Sequence, residues 1–204
     1  MLTKKSLFFL SVFYFSTLIW SASKPLDTFT WFLEVVPSLV GLVVLVCTYR
    51  KFPMTSLVYF LFVVHSLILF VGGHYTYAKV PLFDWIDHAF HLGRNHYDKL
   101  GHFAQGFIPA IIAREILLRT SPLKRGKWLF FITVSICLAI SAFYELVEWW
   151  VAIGTGEGAE AFLGTQGYIW DTQSDMFLAL VGAVVSLFTL SSLHDAALKK
   201  IMND

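Results

Sequence analysis

Charge is what this chain has least of. Only 14% of its 204 residues are Asp, Glu, Lys or Arg, whereas soluble domains carry about 25%. With 57% hydrophobic residues and a positive mean hydropathy, the composition is that of a membrane protein. A basic excess is missing too. The formal net charge of +1 argues against nucleic acid as the main partner. Cysteine is scarce: Cys47 and Cys137 both fall inside apolar runs, where a thiol behaves as a small hydrophobe, and they imply neither a disulfide nor a metal motif. No internal repeat and no low-complexity linker interrupts the chain, which reads as one integral-membrane domain over residues 1–204.

What is abundant is long apolar sequence. Runs of about 18 residues or more read as membrane spans. They fall at about 6–22, 31–48, 55–73, 98–118, 128–150 and 171–193. The expected fold is therefore all-α, a polytopic helical bundle with about six transmembrane helices. The first run has a rival reading: Lys4 and Lys5, an apolar core and the "SAS" at 21–23 resemble a secretory signal with a cleavage site. Bulky Trp20 and the Phe-rich core favour an uncleaved anchor.

The cations set the orientation. Lys4, Lys5, Arg50, Lys51, the segment Arg114 through Lys127, and Lys199 with Lys200 occupy alternate ends and hold eleven of the fifteen Lys and Arg. That side is the cytoplasm, and both termini face it. Asp27, Asp84, Asp87, Asp98, Glu145, Glu148, Glu157, Glu160, Asp171 and Asp175 lie at or near the opposite ends, with most of the histidines. Any chemistry faces outward.

Two outer loops share in this. Residues 74–97 are aromatic, and Phe83, Trp85, Ile86 and Phe90 among Asp84, Asp87 and His91 predict a short helix lying in the membrane interface. The loop at 151–170 is glycine-rich and is expected to be mobile and able to approach a ligand. Trp149, Trp150 and Trp170 are placed as interfacial anchors.

Three spans carry polar faces at their outer ends. In "RNHYDKLGHFAQGF", Asp98, His102 and Gln105 follow i, i+4, i+7 spacing on one helical face. The next span carries Ser141, Tyr144, Glu145 and Glu148, and the last carries Asp171 and Asp175. An isolated charge in the bilayer costs about 2.5–3.5 kcal/mol, so packing these faces around a shared pocket removes most of the penalty. His102, Glu145, Glu148 and Asp175 are the candidate acid/base groups. Arg94, Asp98, Lys99, Gln105, Tyr144 and Asp171 are the candidate substrate-binding groups, the two cations suited to an anionic head group. His102, Glu145, Glu148, Asp171 and Asp175 are also the candidate ligands of a divalent metal, although no H-E-x-x-H or Cys-rich signature accompanies them.

Other polar positions have structural readings. Asp98, Asp171 and Asp175 suit the first turn of a helix, and Glu115 with Arg119 reads as a helix-stabilising i, i+4 pair. Gly72, Gly73, Gly182 and Ala183 read as close helix packing. Glu34 and His65 are lone polar groups for a neighbour to satisfy, and His194 falls past the last span, in solvent.

At "HYDKLGHF", "FYELVEWW" and "WDTQSD" the chain resembles the YjdF family of uncharacterised multi-pass bacterial inner-membrane proteins, over nearly its whole length. More distantly it resembles VanZ-like proteins, which are associated with tolerance of glycopeptide antibiotics. Their pattern of Asp-Lys, a His four residues after the Asp, a Glu on the next span and an Asp near the last would fall on Asp98, Lys99, His102, Glu145 and Asp175. Ala179 and Glu148 stand where that pattern often has Asn and Gln. The resemblance implies an inner-membrane location and supplies no reaction.

Three functions are open. One is an envelope enzyme acting on a lipid-linked or lipid-head-group substrate, with or without a divalent metal. The second is an ion-coupled transporter, which intramembrane carboxylates also suit. The third is a non-catalytic binding or stress-tolerance protein of the envelope. Its partners are the lipid bilayer and, on the first reading, a lipid or envelope precursor; oligomeric state is open.

Overall fold

A computed structural model describes residues 3–155 and 169–202. Among these residues the secondary structure is helical throughout: α1 (Lys4–Ala22), α2 (Thr28–Thr48), α3 (Ser56–His74), α4 (Pro81–Phe90), α5 (Tyr97–Thr120), α6 (Lys127–Thr155) and α7 (Asp171–Met202). The polytopic helical expectation holds. Local signals set the helix starts. Thr3, Asp27 and Thr55 each accept a backbone N–H of the first turn, from Ser6, Thr30 and Val58, which relieves donors that have no intrahelical partner. Asp27 is held below the usual carboxylate range chiefly by that backbone N–H.

Helices α1, α2, α3, α6 and α7 are long and apolar enough to cross a membrane. Their outward faces are apolar: Phe8, Val43, Phe131, Phe143, Phe177 and Phe188 are all exposed. A belt of that kind is a lipid face, not a solvent face. α5 is too polar to qualify by composition, yet it lies parallel to α7 along the whole bundle, from Arg94–Asp171 at one end to Arg114–Asp195 at the other. At 24 residues it measures about 36 Å, more than the roughly 30 Å of hydrocarbon. It tolerates its polar residues because it is central, packed on α3, α6 and α7.

Glycine makes the α5–α7 contact. A Cβ on Gly106 would overlap the Ala179 carbonyl, and one on Gly182 would overlap the Phe103 carbonyl, so the backbones meet directly, as in small-residue membrane packing. Ala110, Cys137, Ala183 and Leu187 continue this seam into α6. On the other side, Tyr14, Val35, Val63 and Phe70 join α1, α2 and α3. There the Tyr14 hydroxyl bonds Ser38 at 2.9 Å, and Ser38 donates to Ser66 at 2.8 Å.

Several boundaries differ from expectation. α6 continues through Thr155, so residues 151–155 are helix and not loop; residues 156–168, with the rest of the glycine-rich stretch and with Glu157 and Glu160, lie outside the described residues. α7 runs well past 193. His194 is therefore not solvated but buried. The expected short helix in 74–97 is α4, which leaves Leu82, Trp85 and Phe90 exposed while Phe83 packs edge-on against Tyr97. Trp149, Trp150 and Trp170 are exposed, as anchors require, and Cys47 is exposed whereas Cys137 is buried.

The described ends of the chain lie at the same end of the bundle. Leu7 of α1 shares a cleft with Arg50 and Tyr59, and Asp195 of α7 pairs with Arg125. This is the cation-rich end, the cytoplasmic one by the positive-inside rule. The other is called the outer end below.

Candidate functional site

The outer end encloses a cavity of about 280 Å³ lined from five spans. Three had been expected. α5 contributes Asp98, His102 and Gln105; α6 contributes Tyr144 and Glu148; α7 contributes Asp171 and Asp175; and α2 and α3 add Glu34, Ser38, His65 and Ser66. Prolines inside α2 and α5, Pro37 and Pro109, also line it. Each removes a backbone donor and loosens its helix where a cavity, not lipid, receives the change.

His102 is the hub. Its Nε2 lies 3.2 Å from Asp98 Oδ1 and 3.8 Å from Asp175 Oδ2. Its Nδ1 lies 3.2 Å from Gln105 Oε1 and 3.8 Å from Glu145 Oε1. The i, i+4 spacing aims Asp98 and His102 at each other, and the close approaches of Gly106 to Ala179 and of Gly182 to Phe103 bring α7 near enough for Asp175 to join them. His102, Glu145 and Asp175 are all buried. Asp175 Oδ1 and Glu145 Oε1 nevertheless have no hydrogen-bond partner among the described residues, a costly condition inside a protein.

The remaining candidates divide by depth. At the mouth, Arg94 Nη2 donates to Asp171 Oδ1 at 2.7 Å, and Lys99 Nζ donates to Ser174 at 3.3 Å. Partial burial works against the Arg94 charge, but the hydrogen bond and negative charge of Asp171 outweigh it and hold the guanidinium above its ordinary pKa. Deeper, the Tyr144 hydroxyl donates to Glu34 Oε2 at 3.4 Å across the cavity. Of the expected metal ligands, His102 and Asp175 come together, with Asp98, which had been assigned to substrate. One donor atom from each lies within 4.8 Å of the others. Glu148 and Asp171 line the cavity outside that group, and Glu145 approaches the far side of the imidazole.

The cavity has two tiers. Its outer part carries the acids, His102 and the tyrosines. Its deep part is lined by Gly41, Phe62, Pro109, Ile112 and Ile140. Gly41 lies eleven residues beyond Thr30 on α2, roughly 16 Å further into the membrane. Ile140 lines this floor and is also partly exposed.

Sequence reasoning missed Glu34 and His65 as members of the site. The available signal was that each is an ionisable group inside an otherwise apolar span, which is a mark of function by default. The expected i, i+4 pair of Glu115 and Arg119 is present at 2.9 Å, and it belongs to a larger network that the sequence did not reveal. Glu115 is fully buried and accepts from Thr55 N and Oγ1 (2.9 and 2.7 Å), Arg119 (2.9 Å) and His194 (3.0 Å). Arg114 in turn donates to His194 Nδ1 and Asp195, both at 2.7 Å. This network closes the cytoplasmic end.

Comparison with known proteins agrees with the membrane reading. The family described as "Predicted membrane protein (DUF2238)" matches residues 6–196. Inner membrane protein YjdF of Escherichia coli (strain K12) is 48% identical over 183 residues, which cover 90% of this chain and 88% of that protein. No solved structure matches, and the distant likeness to VanZ-like proteins finds no support in these comparisons. The chain thus belongs to the DUF2238 family and is a multi-pass protein of the inner membrane.

Proposed function

We propose that this protein is an envelope enzyme that draws the head group of a lipid or lipid-linked precursor into the outer acidic pocket while the acyl or prenyl chain stays in the apolar floor. The single observation that carries the reading is the two-tier cavity, polar around His102 and apolar from Gly41 to Ile140. An amphiphile entering there keeps its chain in apolar surroundings throughout, so the site selects for molecules with both parts. Arg94 and Lys99 at the mouth suit an anionic, phosphate-type head group.

Glu145 and Glu148, one helical turn apart on α6 beside His102, are the proton-transfer groups of this reading. Positioned acid/base groups contribute about 10²–10⁴-fold to a rate. The test starts with mass spectrometry of lipids that co-purify with the protein, followed by incubation of each retained lipid with wild type, His102→Ala and Glu145→Ala. Conversion by wild type and its loss in both correctly inserted variants is expected. Conversion surviving in both variants removes these roles. Directional ion or solute uptake in proteoliposomes without lipid conversion would replace the enzyme with a carrier.

A further inference from the structure

The surroundings of His102 do not balance for a neutral imidazole. A neutral imidazole has one N–H and one lone pair. Nδ1 faces acceptors on its side, Gln105 Oε1 at 3.2 Å and Glu145 Oε1 at 3.8 Å. Whichever way the Gln105 amide is turned, a carboxylate remains there, so Nδ1 carries the proton. The Nε2 lone pair then points at two more carboxylates, Asp98 at 3.2 Å and Asp175 at 3.8 Å. Lone pair against carboxylate is repulsive, so this side of the ring calls for a positive charge, which a second ring proton or a bound cation can supply.

The second observation comes from the oxygens. Asp175 is only 4% exposed, its Oδ2 faces Nε2, and its Oδ1 has no partner among the described residues. The donor atoms of Asp98, His102 and Asp175 lie within 4.8 Å of one another. Ligands bound at about 2.0–2.2 Å and tetrahedral angles stand about 3.4 Å apart, so the set closes by up to about 1.4 Å around an ion. The three donors sit on one side of the gap, and the cavity lies on the other.

We propose that Asp98, His102 and Asp175 form a divalent-cation site whose open coordination positions face the cavity. Gln105 is the positioning residue, its Oε1 taking Nδ1–H at 3.2 Å so that Nε2 is presented to the ion, the outer-shell arrangement usual for a ligating histidine. One imidazole nitrogen with two carboxylate oxygens suits zinc or manganese better than calcium or magnesium, which take all-oxygen sets. An ion here also supplies positive charge to a pocket crowded with carboxylates. The open positions would take an anionic oxygen of an incoming head group, but the cation site itself does not depend on the lipid reading.

The test is metal content, not activity. Full-length protein in detergent is incubated with Zn²⁺ or Mn²⁺, desalted, and assayed by inductively coupled plasma mass spectrometry. About one ion per chain is expected for wild type, with at least a tenfold lower content in Asp175→Asn and His102→Gln. Gln105→Leu should retain the site with affinity lowered about 10–100-fold. Should His102→Gln fail to insert, the isosteric Asp98→Asn serves in its place, and a metal-induced rise in melting temperature, present in wild type and absent in that variant, is the second readout. Wild type with no bound ion, or Asp175→Asn and Asp98→Asn binding as wild type does through surface histidines such as His88 and His91, overturns the proposal. Lipid retention, measured separately, judges the enzyme reading whichever way this falls.

Discussion

The same two helices, α5 and α7, build a buried polar cluster at each end of the bundle, and the two are opposites. At the cytoplasmic end every group has a partner: Glu115 takes four hydrogen bonds, and His194 sits between Arg114 and Glu115. At the outer end the acids crowd one imidazole, two carboxylate oxygens are unmatched, and a cavity opens beside them. Burial is similar in both. Satisfaction separates a clasp, which holds helices together, from a site, which waits for something to bind.

The largest effect expected from this contrast is structural and falls on the clasp. Glu115→Ala removes the carboxylate that accepts from Thr55, Arg119 and His194 in a buried position, and removing one partner of such a network costs about 3–5 kcal/mol. Unfolding of the purified variant in detergent should show a lower midpoint; an unchanged one would erase the distinction. Next comes the outer end, where the loss is functional. Glu145→Gln, with divalent ions chelated, should lower lipid conversion by about 10²-fold or more and leave the midpoint unchanged or raised, because it relieves carboxylate crowding. A midpoint as low as that of Glu115→Ala would make the outer cluster a second clasp.

Smaller effects sharpen the picture. Gly106→Ala pushes a Cβ into the Ala179 carbonyl. Overpacking of this kind costs about 1–3 kcal/mol, and it also moves Asp175 away from His102, so metal content and stability should fall together. Smallest is Asp27→Ala, which removes the α2 cap at about 1 kcal/mol and leaves the site intact. The folded pKa of Asp27 lies below its ordinary 3.8. Its contribution is therefore complete above that value and is lost as pH falls through the lower folded value. Stability of wild type and variant, compared in detergent from neutral pH downward, should converge only in that acidic window.

The helices were legible because a bilayer imposes one simple demand, a long apolar run, and five spans meet it. α5 was legible too, from the apolar run at 98–118, while the i, i+4, i+7 spacing of Asp98, His102 and Gln105 marked its polar face. The helix ends were not. Nothing local stops α7 at 193 or α6 at 150, and their extra turns are held by partners distant in sequence, Arg114 and Glu115 in the case of α7. The outer site was legible as three polar faces, but its depth was not. Gly41, Phe62 and Ile140 look like any lipid-facing residues until the bundle is assembled, and Glu34 joins only because Tyr144 reaches it from α6 across the cavity. Fully satisfied and unsatisfied acids read alike in a sequence, which is why Glu115 was legible only as the i, i+4 partner of Arg119.

The central claim, that the outer cavity holds an amphiphile by head and chain together, is tested most directly by native mass spectrometry of the purified protein against Ile140→Trp, which fills the apolar floor far from His102. Wild type should carry about one lipid per chain, and the filled variant should lose it while keeping its fold and its metal. A wild type that releases every lipid, or an Ile140→Trp protein that carries the same one, would contradict the account.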